Sequence, residues 1–321
     1  MEKADKKLIQ MYSANLLGEQ ILFLENQIEG LLYEEDIEFV HHTRVISRRI
    51  RNTILVFQNF LGKKNTKKWF SEVRMLTRNL TSVRDLDIQI EFLESELTKI
   101  ENKNLQPGIQ RLLLRKKQKR ERCKKLISST IQEFSESKTI SEIKNFVEES
   151  KNDNEADTHT LALKKIAYQE IDQRLSECFS FVPFITDPKN IKQLHQLRIS
   201  MKNLRYTTEL FTNLYPQLQN FIAEFKRFQD DLGLIHDYDV WMGELDKFLL
   251  KEERRIEKFY GQTGPINFLK PGIQYLIKLF SEKRNSTYNI FIEHWNAIFQ
   301  NGFWSEFSSQ FIISETENEQ N

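Results

Sequence analysis

Apolar residues recur at spacings of three and four along nearly the whole chain, which is the period of amphipathic helices. In the first half of the chain, this spacing predicts helices near residues 5–33, 36–61, 65–80, 83–103, 107–136 and 139–149. In the second half, it predicts helices near residues 159–180, 188–213, 217–231, 234–256 and 266–300. Pro107 and Pro271 each stand where a helix can begin, because a proline in the first turn loses no hydrogen bond. The pattern therefore predicts an all-α protein.

The composition agrees with long helices joined by few turns. The chain of 321 residues has only 10 Gly and 6 Pro, whereas sandwiches and barrels need many turns. No run of about 18 apolar residues is present, so we expect no membrane span, and the N-terminus lacks the apolar run of a signal peptide. Two cysteines, Cys123 and Cys178, are too few for a disulfide framework. We therefore expect a cytoplasmic protein with inert thiols.

Three segments recur in the same order, roughly 150 to 165 residues apart, which indicates an internal duplication. The matched pairs are HHTRVISRRIR (41–51) with HQLRISMKNLR (195–205), LTSVRDLDIQIEFL (80–93) with LGLIHDYDVWMGEL (232–245), and QPGIQ (106–110) with KPGIQ (270–274). An acidic polar stretch over 148–158 separates the two copies and resembles a linker. The prediction is a single domain over 1–321, made of one repeat at 1–150 and another at 158–313, with a flexible tail at 314–321.

Basic residues form stripes on the predicted helices, opposite the apolar face. On a helical wheel, each stripe falls within a sector of roughly 80°. The first stripe contains His41, Arg44, Arg48 and Arg51, and its counterpart in the second copy contains His195, Arg198, Lys202 and Arg205. A third stripe follows Pro107 and contains Arg111, Arg115, Lys119 and Arg122. Ile46, Ile50, Thr53, Ile54 and Phe57 form the core face of the first helix, and Leu197, Met201, Leu204, Thr208 and Phe211 form that of the second.

The net charge of +1 does not by itself indicate an anion-binding protein, but its distribution does. Residues 39–71 contain no acid, eight Lys or Arg and two His, and residues 188–208 contain five bases and again no acid. Residues 111–125 contain nine bases and one acid. A single basic helix face is most often plain solvated surface. The same pattern of His and bases at equivalent places in two repeats favours binding of an external polyanion.

Several elongated stripes suit a long, repetitive anion better than a single nucleotide, because guanidinium groups match phosphate oxygens. Nucleic acid is the main competitor, yet no recognition motif is present and the stripes lack interleaved aromatic residues for base stacking. A third possibility is a phosphoanhydride-processing enzyme that uses Asp85 with Asp87 and Asp237 with Asp239. A simpler explanation is that Ser82 and Asp85 form a capping box at a helix start, or that one acid of each pair orients a stripe arginine. No catalytic constellation or metal-ligand spacing is evident, so we expect a binding protein without a cofactor or metal.

The duplicated H-x-x-R-x-x-x-[RK]-x-x-R helices and the L-x-x-x-R-D-x-D element together resemble the CHAD domain, the conserved histidine α-helical domain. The resemblance covers nearly the whole chain. It implies two helical bundles related by a pseudo-two-fold axis, with basic residues along a central groove or pore. It further implies binding of inorganic polyphosphate, and some members of the family associate with polyphosphate granules. Many members also carry a CYTH domain, for which this chain has no room, so we expect a stand-alone member.

Carried over residue by residue, the resemblance assigns polyphosphate binding to the stripes. The signature positions are His41, Arg44, Arg48, Arg49 and Arg51 in the first copy and His195, Arg198, Lys202 and Arg205 in the second. The two copies differ, because Asn203 stands opposite Arg49 and His236 stands opposite Arg84. Of the third stripe, only Lys119 keeps a basic counterpart, Lys283. We therefore expect an asymmetric groove with stronger binding by the first half.

Overall fold

A computed structural model describes residues 3–33, 37–150 and 160–311 of the chain. Within these ranges the protein is helical and has no strand, which confirms the predicted all-α class. The helices are α1 (Lys3–Tyr33), α2 (Ile37–Val56), α3 (Lys63–Lys99), α4 (Gln106–Glu136), α5 (Thr139–Ser150), α6 (Leu161–Phe179), α7 (Ile191–Leu210), α8 (Gln219–Tyr260), α9 (Lys270–Gln300) and α10 (Phe303–Ser309). Short 3-10 turns stand at Val182–Phe184, Pro216–Leu218 and Gly264–Phe268.

Two predicted helix breaks are wrong, because α3 and α8 are each one continuous helix. Within α3, the Thr81 and Ser82 hydroxyls donate to carbonyl oxygens of their own helix, those of Thr77 at 2.7 Å and Asn79 at 2.8 Å. Ser82 therefore does not form the predicted capping box with Asp85, since no helix begins there. Helix α8 likewise continues through Gly233. A Cβ added at Gly233 would lie 3.6 Å from the Nε atom of Arg198, so the absence of a side chain there leaves room for this arginine.

The apolar faces meet in one large core and one smaller core. The large core takes buried side chains from every helix of the described chain, and the apolar faces predicted for α2 and α7 are confirmed as part of it. Ile50 and Met201, for example, are both 0% exposed. The smaller core lies where the end of α3 and the start of α4 pack against α8 and α9, around Trp241 and Phe280. These two cores position α2 against α7 and α4 against α9.

The starts of α4 and α9 touch each other reciprocally. A Cβ added at Gly108 would lie 2.2 Å from the carbonyl oxygen of Leu269, and one added at Gly272 would lie 2.1 Å from that of Leu105. Both glycines follow the first-turn prolines that the sequence indicated. The matched P-G-I-Q segments therefore form one close backbone contact, which only glycine permits at either side.

The final helix α10 was not predicted. Trp304 and Phe307 are buried, and Phe225 packs against both rings at centroid distances of 5.9 and 4.9 Å. The spacing of Phe303, Trp304 and Phe307 carries a helical signal that the prediction overlooked. Most of the predicted linker at 148–158 lies outside the described residues, and so does the whole of the predicted tail at 314–321. No helix in the described ranges is both long enough and apolar enough to cross a membrane.

Candidate functional site

Packing of α2 against α7 brings two of the predicted basic stripes together. We call the resulting group the central cation cluster, defined by Arg44, Arg48, Arg51, Arg198 and Lys202. Their proximity is evident from the Lys202 ammonium, whose pKa falls to about 8. Burial is the main cause of this lowered pKa, and the positive charges of Arg48, Arg198 and Arg51 add to it. The side chains of both helices therefore share one electrostatic environment.

The guanidinium groups of the cluster have unused hydrogen-bonding capacity. The Nε atoms of Arg48, Arg51 and Arg198 are buried and have no acceptor among the described residues. Leaving a buried donor unsatisfied costs about 1–3 kcal/mol, so proteins rarely leave several of them together. Arg51 stacks over the ring of Phe70 at 5.3 Å, which orients the guanidinium without supplying an acceptor. This arrangement favours a ligand that brings its own oxygen acceptors.

Two carboxylates at the edge of the cluster compensate part of its charge. Asp85 on α3 lies 3.6 Å from Arg44, as the sequence suggested for one acid of each pair. Burial raises the pKa of Asp85, which Arg44 and Arg198 partly oppose, although 56% of its side chain remains accessible to solvent. Burial also raises the pKa of Asp237 on α8, and the charge of Asp85 adds to that rise. The cluster thus keeps an excess of positive charge over these two acids.

Three histidines border the cluster, and the surroundings of each favour its neutral form. Burial lowers the pKa of His195, and the charges of Arg198 and Lys202 lower it further. His236 on α8 packs against His195 with ring centroids 4.0 Å apart and the rings tilted by 32°. Burial, followed by the charges of His195 and Arg198, lowers the pKa of His236 to about 4. Burial likewise lowers the pKa of His41, and nearby Arg84 contributes to that shift. The sequence flagged His236 only as a departure from the first copy.

These histidine pKa values predict a loss of stability on acidification. The folded protein binds fewer protons than the unfolded chain between the folded pKa of His236, about 4, and the unfolded value of 6.5. Stability should therefore fall as the pH drops through this window, by about 2 kcal/mol between pH 7 and pH 5 for His236 alone. Urea unfolding at both pH values should show this loss in the wild type and a smaller loss in His236→Gln. Equal losses in the two proteins would contradict the assignment.

The second acid of each predicted pair has a structural partner. Asp87 on α3 accepts from Arg120 Nε on α4 at 2.5 Å, and Asp239 on α8 accepts from Arg284 Nε on α9 at 3.1 Å. The side chains of Arg284 and Asp239 are only 7% and 8% exposed. Across the residues that the structure describes, no group of three or more His, Cys, Asp or Glu side chains is placed to hold a metal ion.

Besides the stripe on α4, three of the predicted binding residues lie apart from the central cation cluster. Arg49 and Arg205 both bind Glu209, at 3.0 and 3.4 Å, and line a different groove of about 770 Å³ between α1, α2, α7 and α8. Lys283 on α9 lies over the ring of Phe92, 5.4 Å from its centroid. The partners of Arg49 and Lys283 are distant in the chain, so the sequence could not reveal them. The Arg205–Glu209 pair is spaced i,i+4 on α7, a signal that the sequence did carry.

The third stripe, on α4, faces α8 and is partly neutralised within the protein. Glu252 of α8 is fully buried and accepts from Arg111 Nε at 2.8 Å and from Arg115 Nε at 2.9 Å. The sequence predicted no such partner for these two arginines. Lys119 and Arg122 have no ion-pair partner in the described part of the chain and line a groove between α4 and α8.

The fold of this chain resembles that of two solved structures. No curated protein matches the chain. Among solved structures, the crystal structure of the CHAD domain from the plant Ricinus communis aligns at a TM-score of 0.55 and 15% identity, over 90% of this chain and 92% of that one. PptA from Streptomyces chartreusis aligns at a TM-score of 0.57 and 15% identity, over 87% of this chain and 99% of that one. At such identities the likeness concerns the fold alone.

The sequence match is independent of these structural likenesses. The family model of the CHAD domain matches residues 16–246, which is well over half of the chain and includes α2, α7 and most of α8. The matched range contains every residue of the central cation cluster and its three bordering histidines. This chain therefore belongs to the CHAD domain family.

Proposed function

We propose that the protein binds inorganic polyphosphate through the central cation cluster. The observation that carries the proposal is the set of buried guanidinium Nε atoms, on Arg48, Arg51 and Arg198, that lack acceptors among the described residues. A chain of phosphates supplies many oxygen acceptors and a negative charge on each unit. Binding would therefore satisfy these donors and relieve the repulsion among the cations, which adds to burial in lowering the Lys202 pKa.

The dimensions of the cluster favour an extended anion over a single phosphate. On α2, Arg44 and Arg51 are two turns apart, so their Cα atoms are separated by about 10 Å along the helix axis. Arg198 and Lys202 on α7 extend the surface on a second helix. The nearby aromatic ring of Phe70 is already covered by Arg51, which leaves it unsuited to stacking with a base. These features support a phosphate chain over a nucleic acid.

The proposal includes the internal duplication and a basic central groove between its halves. Its structural support comes from pairs of contacts at matched positions. The Asp87–Arg120 pair joins α3 to α4 as the Asp239–Arg284 pair joins α8 to α9. In the same way, His41 on α2 lies near Arg84 on α3, and at the matched positions His195 on α7 lies against His236 on α8.

We further propose that the protein acts by binding and not by catalysis, within the cytoplasm. The interactions of Asp87 and Asp239 with arginines support structural roles for those acids. Cys123 and Cys178 are free and buried, as suits a reducing compartment. The proposal that the protein does not catalyse a reaction can be tested with Mg²⁺ or Mn²⁺ and long-chain polyphosphate. Release of phosphate by the wild type, lost in Asp85→Asn or Asp237→Asn, would overturn it. Association with polyphosphate granules stays a prediction.

Polyphosphate affinity should depend steeply on salt. If all five cations of the cluster contact phosphates, affinity should fall about a hundredfold between 50 and 200 mM salt, by analogy with single-stranded nucleic acid. Labelled long-chain polyphosphate, measured by fluorescence anisotropy, would report this fall. Competition with RNA of matched total charge at 150 mM salt provides the specificity control. Displacement by RNA at equal charge concentration would contradict specific binding of polyphosphate.

A further inference from the structure

A second basic surface lies in the groove between α4 and α8, away from the central cation cluster. The groove has a volume of about 410 Å³, within the range of small-molecule sites. One wall carries Arg115, Lys116, Lys119 and Arg122 of α4. The opposite wall carries Lys247, Lys251 and Arg255 of α8. Of the side chains that line the groove, only Glu244 is acidic.

One end of this groove is held rigid by a buried carboxylate. Glu252 is 0% exposed and binds the guanidinium groups of Arg111, Arg115 and Arg255. The Arg115 Nη1 atom also donates to Gln118 at 2.9 Å. Three arginines on one carboxylate leave an excess of positive charge, and their positions are fixed before any ligand arrives. Such preorganisation lowers the entropy that a ligand must overcome on binding.

The remaining cations of the groove are free to bind a ligand. Lys119, Arg122, Lys247 and Lys251 have no ion-pair partner among the residues that the structure describes, and all four are exposed. The floor of the groove is formed by Trp241 and Phe248, which are only 8% and 9% exposed. Since neither ring presents a free face, the groove cannot stack a nucleobase. Its recognition chemistry is therefore the binding of several closely spaced anionic groups.

Carboxylates lie between this groove and the central cation cluster. Glu244 accepts from Lys116 at 2.6 Å and lies close enough to Asp85 to raise its pKa. Asp85 in turn raises the pKa of Asp237. A phosphate chain running from one basic surface to the other would have to pass three negative side chains, which is unfavourable.

We infer that the α4/α8 groove is a second, independent anion site that takes a compact, multiply phosphorylated small molecule. The two facing walls would surround such a molecule, whereas the acids towards Asp85 interrupt the path of a continuous chain. This inference does not depend on polyphosphate being the ligand of the central cation cluster.

Isothermal titration calorimetry at 150 mM salt can test this inference, with inositol hexakisphosphate as the compact probe and long-chain polyphosphate as the extended one. The Lys247→Glu, Lys251→Glu variant should bind the compact probe at least tenfold more weakly and keep its polyphosphate affinity within about twofold. Both lysines are exposed and unpaired, so the variant should fold. The Arg254→Glu, Lys258→Glu variant makes the same charge change on exposed positions of α8 that do not line the groove, and it should bind both probes as the wild type does.

Several outcomes would overturn the second site. One is that the wild type does not bind inositol hexakisphosphate. Another is that the control variant loses as much affinity for this probe as the Lys247→Glu, Lys251→Glu variant does. A third is that the Lys247→Glu, Lys251→Glu variant loses affinity for both probes to the same extent. Stronger binding of linear tripolyphosphate than of the cyclic probe would overturn the preference for a compact ligand. A wild type that binds the compact probe in this groove but not polyphosphate would support the second site and refute the proposed function.

Discussion

The Arg48→Glu, Lys202→Glu variant is expected to bind long-chain polyphosphate at least about a hundredfold more weakly than the wild type. Each charge-assisted hydrogen bond to a phosphate contributes about 1.5–3 kcal/mol, and reversing the charge adds repulsion. Both side chains belong to the central cation cluster, one on each helix. The affinity can be measured by fluorescence anisotropy at fixed salt.

The same variant should remain folded, which distinguishes lost binding from lost structure. The Lys202 ammonium is disfavoured in the folded protein by burial and by three arginines. Two of them, Arg51 and Arg198, remain in the variant as attractive neighbours of a carboxylate at position 202. Its urea midpoint should therefore equal or exceed that of the wild type. The Arg254→Glu, Lys258→Glu variant carries an equal charge change on exposed positions and should bind normally. Unchanged affinity in Arg48→Glu, Lys202→Glu would exclude the central cation cluster as the site.

Replacing Asp239 by alanine should destabilise the protein by about 3–5 kcal/mol, because it leaves a buried arginine without its carboxylate. The side chain of Arg284 is 7% exposed. Without Asp239 it keeps a hydrogen bond from Nη2 to the carbonyl oxygen of Pro188 at 2.6 Å and a cation–π contact with Tyr288 at 5.6 Å, neither of which supplies a negative charge. The pair joins α8 to α9, so its loss should also weaken the packing of those helices. The change in unfolding free energy can be measured by urea denaturation followed by circular dichroism.

Asp85→Ala is the matched control for this prediction. Asp85 belongs to the corresponding D-x-D element of α3, yet 56% of its side chain is exposed and its distance to Arg44 is 3.6 Å. Exposed ion pairs contribute about 0–1 kcal/mol, so this variant should change stability little. Similar losses in the two variants would show that burial does not distinguish the acids as the structure indicates.

The helical period was a reliable guide to the fold because burial of an apolar face is a local property of the sequence. It gave the all-α class, the position of α2 and α7 and the side of each that enters the core. It failed where a local signal was ambiguous. Ser82 with Asp85 looked like a helix start, but the Ser82 hydroxyl donates to the Asn79 carbonyl oxygen within α3. Hydroxyl groups that can cap a helix can equally bond to its interior, and neighbouring packing decides between the two.

The sequence by itself determined which residues carry positive charge and which helix face carries them, because both follow from residue type and spacing. Only the tertiary structure decided how those charges are partnered. It placed Arg48 and Lys202 close enough for their like charges to interact, and it paired Arg115 with Glu252 of a distant helix. The physical reason is that Coulomb energy depends on distance in space, and helices far apart in the chain acquire that distance only by packing.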